Sequence, residues 1–541
     1  MDLNQHRLWC ALAPLLAAAS ALAQPAATVP ASSQIYDRLE SVSALYPVKG
    51  VFLGERALSR RELARVAEAL GQRITADSGN LERQRWARDE LDAVRDALST
   101  AHGRIRGRYG SAGIHWRADM FSSRTASVRI TNNALGQIDA VSNPYAYGRH
   151  GWPAIQGSIA TLGPSAYWAP HDAFVAVVQP LASLTPIREE GWTSERFIQR
   201  GYLRATWHNV ALQIGAEELR WGQSPTGSMF ISGNAPPIPA LALATDTAIT
   251  LPWIFRYAGP FRMTALLGDL GGTQVPPHAR LAAWQASVQP WSRFELGVAV
   301  AAQTGGDGGP QATFLERLID LFPVIDALAP QHADLQFSNK FAGGNMRLRF
   351  PELSGLDVYY ELQIDDFDGR RLRSSFVDDA GHLLGLRLPL IVGGDQLALR
   401  VEGHRTSIRL YEHTQFPSGY TYRQRLIGNP LGPHAVAGYA SAEWRWTPHN
   451  AIGLAIGEES RDPSLYTVSV SGDRDRGFTF VRQTNEPGVR GRRFLLNVHH
   501  ALPGGAVRAT IGHHRAWRSG EPGRGDWGGI ISFSSQKLQN F

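Results

Sequence analysis

The sequence predicts an all-β transmembrane antiparallel barrel that carries a small N-terminal α-helical bundle. Three observations lead there. From about Gly110 the apolar residues recur with period two, and several hairpins agree in register on both arms. Beyond the N-terminus no apolar run approaches the roughly 18 residues that a membrane helix needs. The chain also opens like an exported protein. Hydrophobic residues make up 43% and the mean hydropathy is -0.21. A barrel keeps such averages low because every second side chain faces away from lipid.

The N-terminus reads as a signal peptide over residues 1–23. Arg7 precedes an apolar stretch from Leu8 to Leu22, and Ala21-Leu22-Ala23 has the small-x-small pattern of a cleavage site. Cys10, the single cysteine, falls inside it, so the mature chain is expected to hold neither disulfides nor thiolate chemistry. Residues 24–33, rich in Pro, Ala and Ser, read as a flexible leader. Residues 34–110 read as a periplasmic helical bundle. Its first helix runs from Gln34 to Leu45. Ser59 caps the second, with Glu62 at the capping-box position and Gly71 as its stop. Asn80 caps the third. Residues 111–541 are then the outer-membrane barrel.

Within it, a turn at His208-Asn209 pairs Trp207 with Val210, Ala205 with Leu212 and Leu203 with Ile214. Arg204, Gln213, Thr206 and Ala211 fall on the opposite face. A Gly504-Gly505 turn pairs Leu502 with Val507, His500 with Ala509 and Val498 with Ile511. Three similar segments, Trp168–Phe174, Val288–Phe294 and Trp446–Ile452, read as five-residue loops between apolar residues. Their outward pairs continue as Trp444 with Leu454, Ala442 with Ile456 and Ala286 with Leu296. Short turns of this kind are the periplasmic ones. Gly222–Leu241, Gly305–Gln311 and Gly457–Gly491 read as longer extracellular loops, and Ala312–Leu328 as an amphipathic helix within one. At ~20–28 residues per strand and connection the count is about 16–20 strands. The last strand takes its phase from Trp527, Ile531 and Phe533, ahead of a short polar tail that ends at Phe541.

Lys and Arg number 54 against 48 Asp and Glu, spread along the chain rather than gathered in a tail. That argues against a nucleic-acid arm and fits a lumen, or a surface that meets acidic glycan or lipopolysaccharide. No G-x-S-x-G elbow occurs, and nothing pairs a serine with a histidine, so no catalytic residue and no enzyme is expected. The histidines of His499-His500 and His513-His514 divide between two faces, which argues against a metal site. Asp365-Asp366-Asp368 lacks calcium-loop spacing and reads as a strand end. No metal or cofactor is expected.

Four ordered blocks carry a family likeness. Trp221-Gly222-Gln223-Ser224 leads into Ser228–Pro239. Asn339–Arg347 and Tyr359–Asp366 follow, and Ser418–Gly432 closes the series. Together they resemble the capsule-assembly Wzi family of outer-membrane proteins. The resemblance implies an 18-stranded barrel with a periplasmic bundle near its base. It also implies a lectin-like, non-enzymatic role that holds capsular or extracellular polysaccharide at the cell surface. Expected partners are that polysaccharide, outer-membrane lipid or lipopolysaccharide, the barrel-assembly machinery and polysaccharide export proteins, with the chain itself a monomer. Where the family has Pro, Asn and Arg, this chain has Gln223, Gly233 and Pro236. Within the blocks, Trp221, Tyr420 and Tyr422 suit stacking on sugar rings, while Asn234, Arg423 and Arg425 suit hydroxyls or uronate carboxylates. The same residues also suit a tight inward-folded loop packed by its aromatics. A diffusion channel or porin-like transporter is the alternative function, because it shares the polar lumen, and a barrel hydrolase stands behind it.

Overall fold

The structure is a computed structural model that describes residues 26–535, apart from 100–104, 108–109, 125–127, 132–138, 146, 155, 188–190, 312, 314–315, 317–320, 322–337, 366–375, 471–477 and 519. The signal peptide, most of the expected helix Ala312–Leu328, Asp366, Asp368 and Phe541 lie outside the described residues.

Eighteen antiparallel strands close into one barrel. In chain order they are β1 (Gly110–Ser123), β2 (Gly157–His171), β3 (Phe174–Ile187), β4 (Gly191–Trp207), β5 (Val210–Ala216) and β6 (Pro239–Thr245). β7 (Pro260–Asp269), β8 (Arg280–Trp291), β9 (Phe294–Thr304), β10 (Ser338–Phe350), β11 (Leu356–Asp365) and β12 (Ala380–Val392) continue it. β13 (Asp395–Thr406), β14 (Ala435–Thr447), β15 (Asn450–Arg461), β16 (Val489–Leu502), β17 (Gly505–Arg518) and β18 (Arg524–Ser534) complete it. Each strand pairs with the next, and β18 closes on β1, with Ile530 opposite Phe121 and Ser534 opposite Arg117.

Alternation decides which side chains meet lipid. Leu203, Trp207, Val210, Leu212 and Ile214 point outward and are exposed, whereas Arg204, Thr206 and Gln213 are buried inside. The β4–β5 register is the one expected, residue for residue. Elsewhere the faces hold but the register moves by two. In β16–β17 Leu502 pairs with Gly505 and His500 with Val507, because the turn is Pro503-Gly504. Proline presets the first turn position and Gly504, at φ 82°, supplies the second. The three expected five-residue loops are two-residue turns with a bulge before them, which pair His171 with Phe174, Trp291 with Phe294 and Thr447 with Asn450. Pro170 and Pro290 lie within two of those bulges, where a missing N–H costs no ladder bond. Trp444 therefore faces Ile452, Ala442 faces Leu454, and Ala286 faces Val298. The loop expected at Gly457–Gly491 is shorter, since β15 runs to Arg461 and β16 begins at Val489.

Three helices precede the wall: α1 (Gln34–Leu45), α2 (Arg60–Thr75) and α3 (Leu81–Ser99). The Ser33, Ser59 and Asn80 side chains accept from the first-turn amides of Ile35, Glu62 and Arg83. Gly71 does not stop α2. The helix continues so that Ile74 is buried, and Gly71 lets Arg95 of α3 approach: a Cβ there would sit 2.5 Å from its guanidinium. Residues 26–33 are not a free leader. Ala26 donates to the β2–β3 turn at Asp172 (3.1 Å) and Val29 to Leu58 (2.9 Å), and most of the segment is buried.

The bundle closes the short-turn end of the barrel. Arg38 donates to the carbonyl of Pro448, and Gly50 donates to Gln289 (2.5 Å). Glu40 of α1 reaches into the lumen and meets Arg56 at 2.8 Å, then Arg387, Arg347 and Arg400 of the wall at 3.5, 3.7 and 4.0 Å. Burial alone would raise its carboxyl pKa, but Arg56, Arg347 and Arg387 outweigh that and hold it down at about 2.

Replacing Glu40 by Gln leaves these guanidiniums without their shared carboxylate. The expected cost is about 3–5 kcal/mol of bundle docking, read as earlier release of the bundle to protease while the wall keeps its heat-modifiable mobility on gels. Because the folded pKa lies below the unfolded value, this stabilisation is complete above about pH 4.5 and is lost as pH falls towards 2. The Glu40→Gln variant should lose that slope.

Candidate functional site

Two loops turn inward and pack inside the lumen. The first runs from β5 to β6 and includes residues 217–238; the second runs from β13 to β14 and includes residues 407–434. One carboxylate anchors the first. Glu361 of β11 accepts from the backbone amides of Gln223, Ser224 (2.9 Å) and Met229 (2.9 Å). Glu402 of β13 accepts from Ser224 (3.0 Å), Thr226 and the Tyr359 hydroxyl. The loops are then strapped to each other. Ser232 donates through its amide to Ile427 (2.9 Å) and through its hydroxyl to Gly428 (2.6 Å), and Asn429 donates to Gly227 (2.6 Å). Tyr411 donates its hydroxyl to Met229 (2.7 Å) and accepts from the Asn429 amide (2.8 Å).

All six sugar-contact candidates lie on these two loops, and four of them are buried in the plug. Trp221 is 1% exposed and pairs with Glu55 of the bundle in a short two-stranded sheet. Asn234 is buried and donates to Leu426 (3.1 Å). Tyr420 is fully buried, stacked on Tyr411 (5.8 Å between centroids) and tilted against Phe341 (4.4 Å). Tyr422 is buried as well. The fifth, Arg423, is exposed at the tip of a hairpin and lies over the Tyr422 and Phe197 rings at 5.5 and 5.8 Å. The sixth, Arg425, faces Tyr422 across that hairpin and is half-buried.

The tip is strained. Arg423 and Gln424 hold φ of 48° and 57°, a two-residue turn that favours Asn-Gly. Non-glycine residues there cost of order 1 kcal/mol each, the kind of strain that clusters at ligand clamps.

A second feature was not legible as a site in the sequence. At the long-loop end a cavity of about 860 Å3 opens at the rim of β13–β15. A hairpin of Tyr466–Val470 with Phe478–Arg482 overhangs it. Asp462 organises the pocket: it accepts from Tyr466 (2.6 Å) and Arg482 (2.7 Å), with His434 at 3.7 Å. Burial would raise the Asp462 carboxyl, but bonds from Tyr466, Ser464 and Arg482 hold it well below the usual carboxylate range. Arg405, Phe480 and Glu486 add further polar and aromatic lining. Only the aromatic and charged residues within the long loop hinted at this. Among the described residues no group of three or more His, Cys, Asp or Glu side chains is placed to hold a metal.

The profile of the capsule assembly protein Wzi family matches residues 88–490. The chain belongs to that family. A relative from Klebsiella pneumoniae, described as an uncharacterized 55.8 kDa protein in the cps region, is 26% identical over 193 residues. That alignment spans 35% of this chain and 36% of the relative, so the chain covers about a third of the curated relative it matches. The solved structure of Escherichia coli Wzi, described as an outer-membrane protein involved in group 1 capsule assembly and a carbohydrate-binding β-barrel, superposes with a TM-score of 0.67 at 15% identity. It covers 94% of this chain and 99% of that one. OccD3 (OpdP) of Pseudomonas aeruginosa has a TM-score of 0.41 at 12% identity, covering 81% of this chain and 93% of that one.

The departures from the Wzi-family block have local partners. Gly233, at φ 73°, lies so close to His150 that a Cβ would fall 2.5 Å from its ring. Pro236 fits against Gly151, where a Cβ would meet it at 2.4 Å. Gln223 donates to Asn345 (2.8 Å). The segment 147–154 is thereby matched to this plug.

Replacing Glu361 by Ala strands three buried amides at about 1–3 kcal/mol each. The expected result is an earlier thermal transition and new protease cleavage within residues 222–230, with the closed wall retained.

Proposed function

We propose that this chain binds polysaccharide at the cell surface without chemical turnover, and that it does so from an outer-membrane barrel with the long loops outward. The single observation that carries this reading is the arrangement of the lumen and rim. Two loops tied to Glu361 and Glu402 pack inside the lumen, while a cavity lined by Arg405, Tyr466, Phe480 and Arg482 opens outward at the long-loop end. A binding protein needs such a surface; a channel needs the lumen free. Family membership and the carbohydrate binding stated for the E. coli barrel support the same reading.

In this account the rim cavity and the Arg423 tip are the glycan contacts. Tyr466 and Phe480 offer ring faces, and Arg423 and Arg482 offer fork-shaped donors to hydroxyls or uronate carboxylates. Trp221, Asn234, Tyr420 and Tyr422 act indirectly, by holding the plug that presents the tip. The helical bundle faces the periplasm, and residues 1–23 are the export signal removed on the way. Polysaccharide export proteins are partners that could meet the bundle there. The chain works as a monomer.

The test is retention of the host's own surface polysaccharide by purified protein immobilised in detergent. Wild type should retain it. Arg482→Ala and Tyr466→Ala should each weaken retention about tenfold, in line with loss of one charge-assisted contact or one stacking face. Arg423-Gln424→Asn-Gly should relax the turn and raise thermal stability while it weakens retention. Equal retention by wild type and all three variants would defeat the proposed contacts, and no retention by wild type would defeat the function.

A further inference from the structure

The outward faces of β15 to β18 form continuous rows across the sheet. One row reads Ile456, Phe494, His513, Trp527, each residue paired to the next. Below it, towards the short turns, the outward residues stay apolar: Leu454, Val498, Ile511 and Ile531 are all exposed. The next row up reads Glu458, Arg492, Arg515, Gly525. Above that, Arg490 faces Trp517. The apolar belt therefore ends at one level on four strands, and arginines begin on the level above.

The basic row carries an unresolved cost. Arg492 and Arg515 are directly opposed on an antiparallel pair, where like charges destabilise. Glu458 pairs with Arg492 at 2.7 Å. Arg490 and Arg515 have no carboxylate within 4.0 Å among the described residues, and Arg518 and Arg524 at the rim add two more exposed cations. Gly525 leaves the place beside Arg515 without a side chain. Trp517 flanks the patch, with Arg492 at 5.9 Å from its ring. Nothing in the lumen or the glycan reading uses these residues.

We propose that this patch is a docking site for the phosphorylated head group of an outer-leaflet glycolipid. Its acyl chains would lie along Phe494, Ile511 and Ile531, and its phosphate would bridge Arg492 and Arg515, with Arg490 as a third donor. Three facts favour a lipid over a soluble anion. The arginines face outward rather than into the lumen. They begin one strand row above the last lipid-facing residues. The guanidinium fork matches phosphate oxygens and relieves the repulsion of the opposed pair. The proposal uses the orientation given above, with long loops outward, and does not depend on polysaccharide binding.

The test measures binding of bisphosphorylated lipid A, in mixed micelles, to the full chain by calorimetry. Dephosphorylated lipid A and inorganic pyrophosphate serve as comparison probes. Wild type should bind lipid A with a marked salt dependence and bind both comparison probes at least about tenfold more weakly. The triple variant Arg490→Gln, Arg492→Gln, Arg515→Gln should lose at least about tenfold in affinity and keep its closed-barrel mobility on gels. Arg515→Glu supplies a second reading: it should lower lipid A affinity while it raises thermal stability, because it removes the opposed like charges. Unchanged lipid A binding by either variant would overturn the proposal. Equal binding of pyrophosphate or of dephosphorylated lipid A would also overturn it. Retention of the host polysaccharide should not change in either variant, so failure here is separable from failure of the glycan reading.

Discussion

At the closed end of this barrel four arginines share one carboxylate. Glu40 comes from the helical bundle, and three of its partners come from three different wall strands. An 18-stranded wall encloses more space than its own side chains fill. A polar lining keeps such a wall folded only if its charges are met, since a buried charge without a partner is very costly. The bundle supplies those counter-charges and covers the mouth in one step. Arg56 joins the same cluster from the bundle side, and its strand continues through Glu55 onto Trp221. The bundle is thereby tied both to the wall and to the first inward loop.

From that base the plug builds upward. Glu361 gathers three amides of the first loop, and the second loop is laid across it through Ser232, Asn429 and Tyr411. The aromatic residues lock this stack from within. What emerges at the far end is a short hairpin with Arg423 in a strained turn, and a rim cavity organised on Asp462. The division of labour is physical. Carboxylates that accept several donors hold backbone in place in the lumen, and at the top Asp462 gathers Tyr466 and Arg482 around the rim cavity.

The wall was highly legible in the sequence. Period-two alternation and a two-residue turn are local, so the β4–β5 register followed from residues 203–214 alone. Where a proline entered the turn, as at Pro503-Gly504, the faces survived but the pairing moved by two, because parity is insensitive to such a shift. Gly71 reads locally as a helix stop, and tertiary packing of Ile74 overrides that. The sites were less legible for a different reason. Whether Trp221 or Tyr420 meets solvent depends on two loops that are about 190 residues apart and touch only inside the closed barrel; Ser232 reaching Ile427 is one such contact. The rim cavity likewise unites Arg405, Val436, Ser460 and Arg482 from separate strands and a loop. The opposed arginines of β16 and β17 needed the register itself.

A lumen occupied by its own loops leaves the rim as the place for the proposed ligand. Conductance of the purified protein in planar lipid bilayers tests that directly. The occupied lumen predicts a baseline without stable current steps at moderate voltage. Sustained single-channel steps of porin size from the unmodified chain would contradict it.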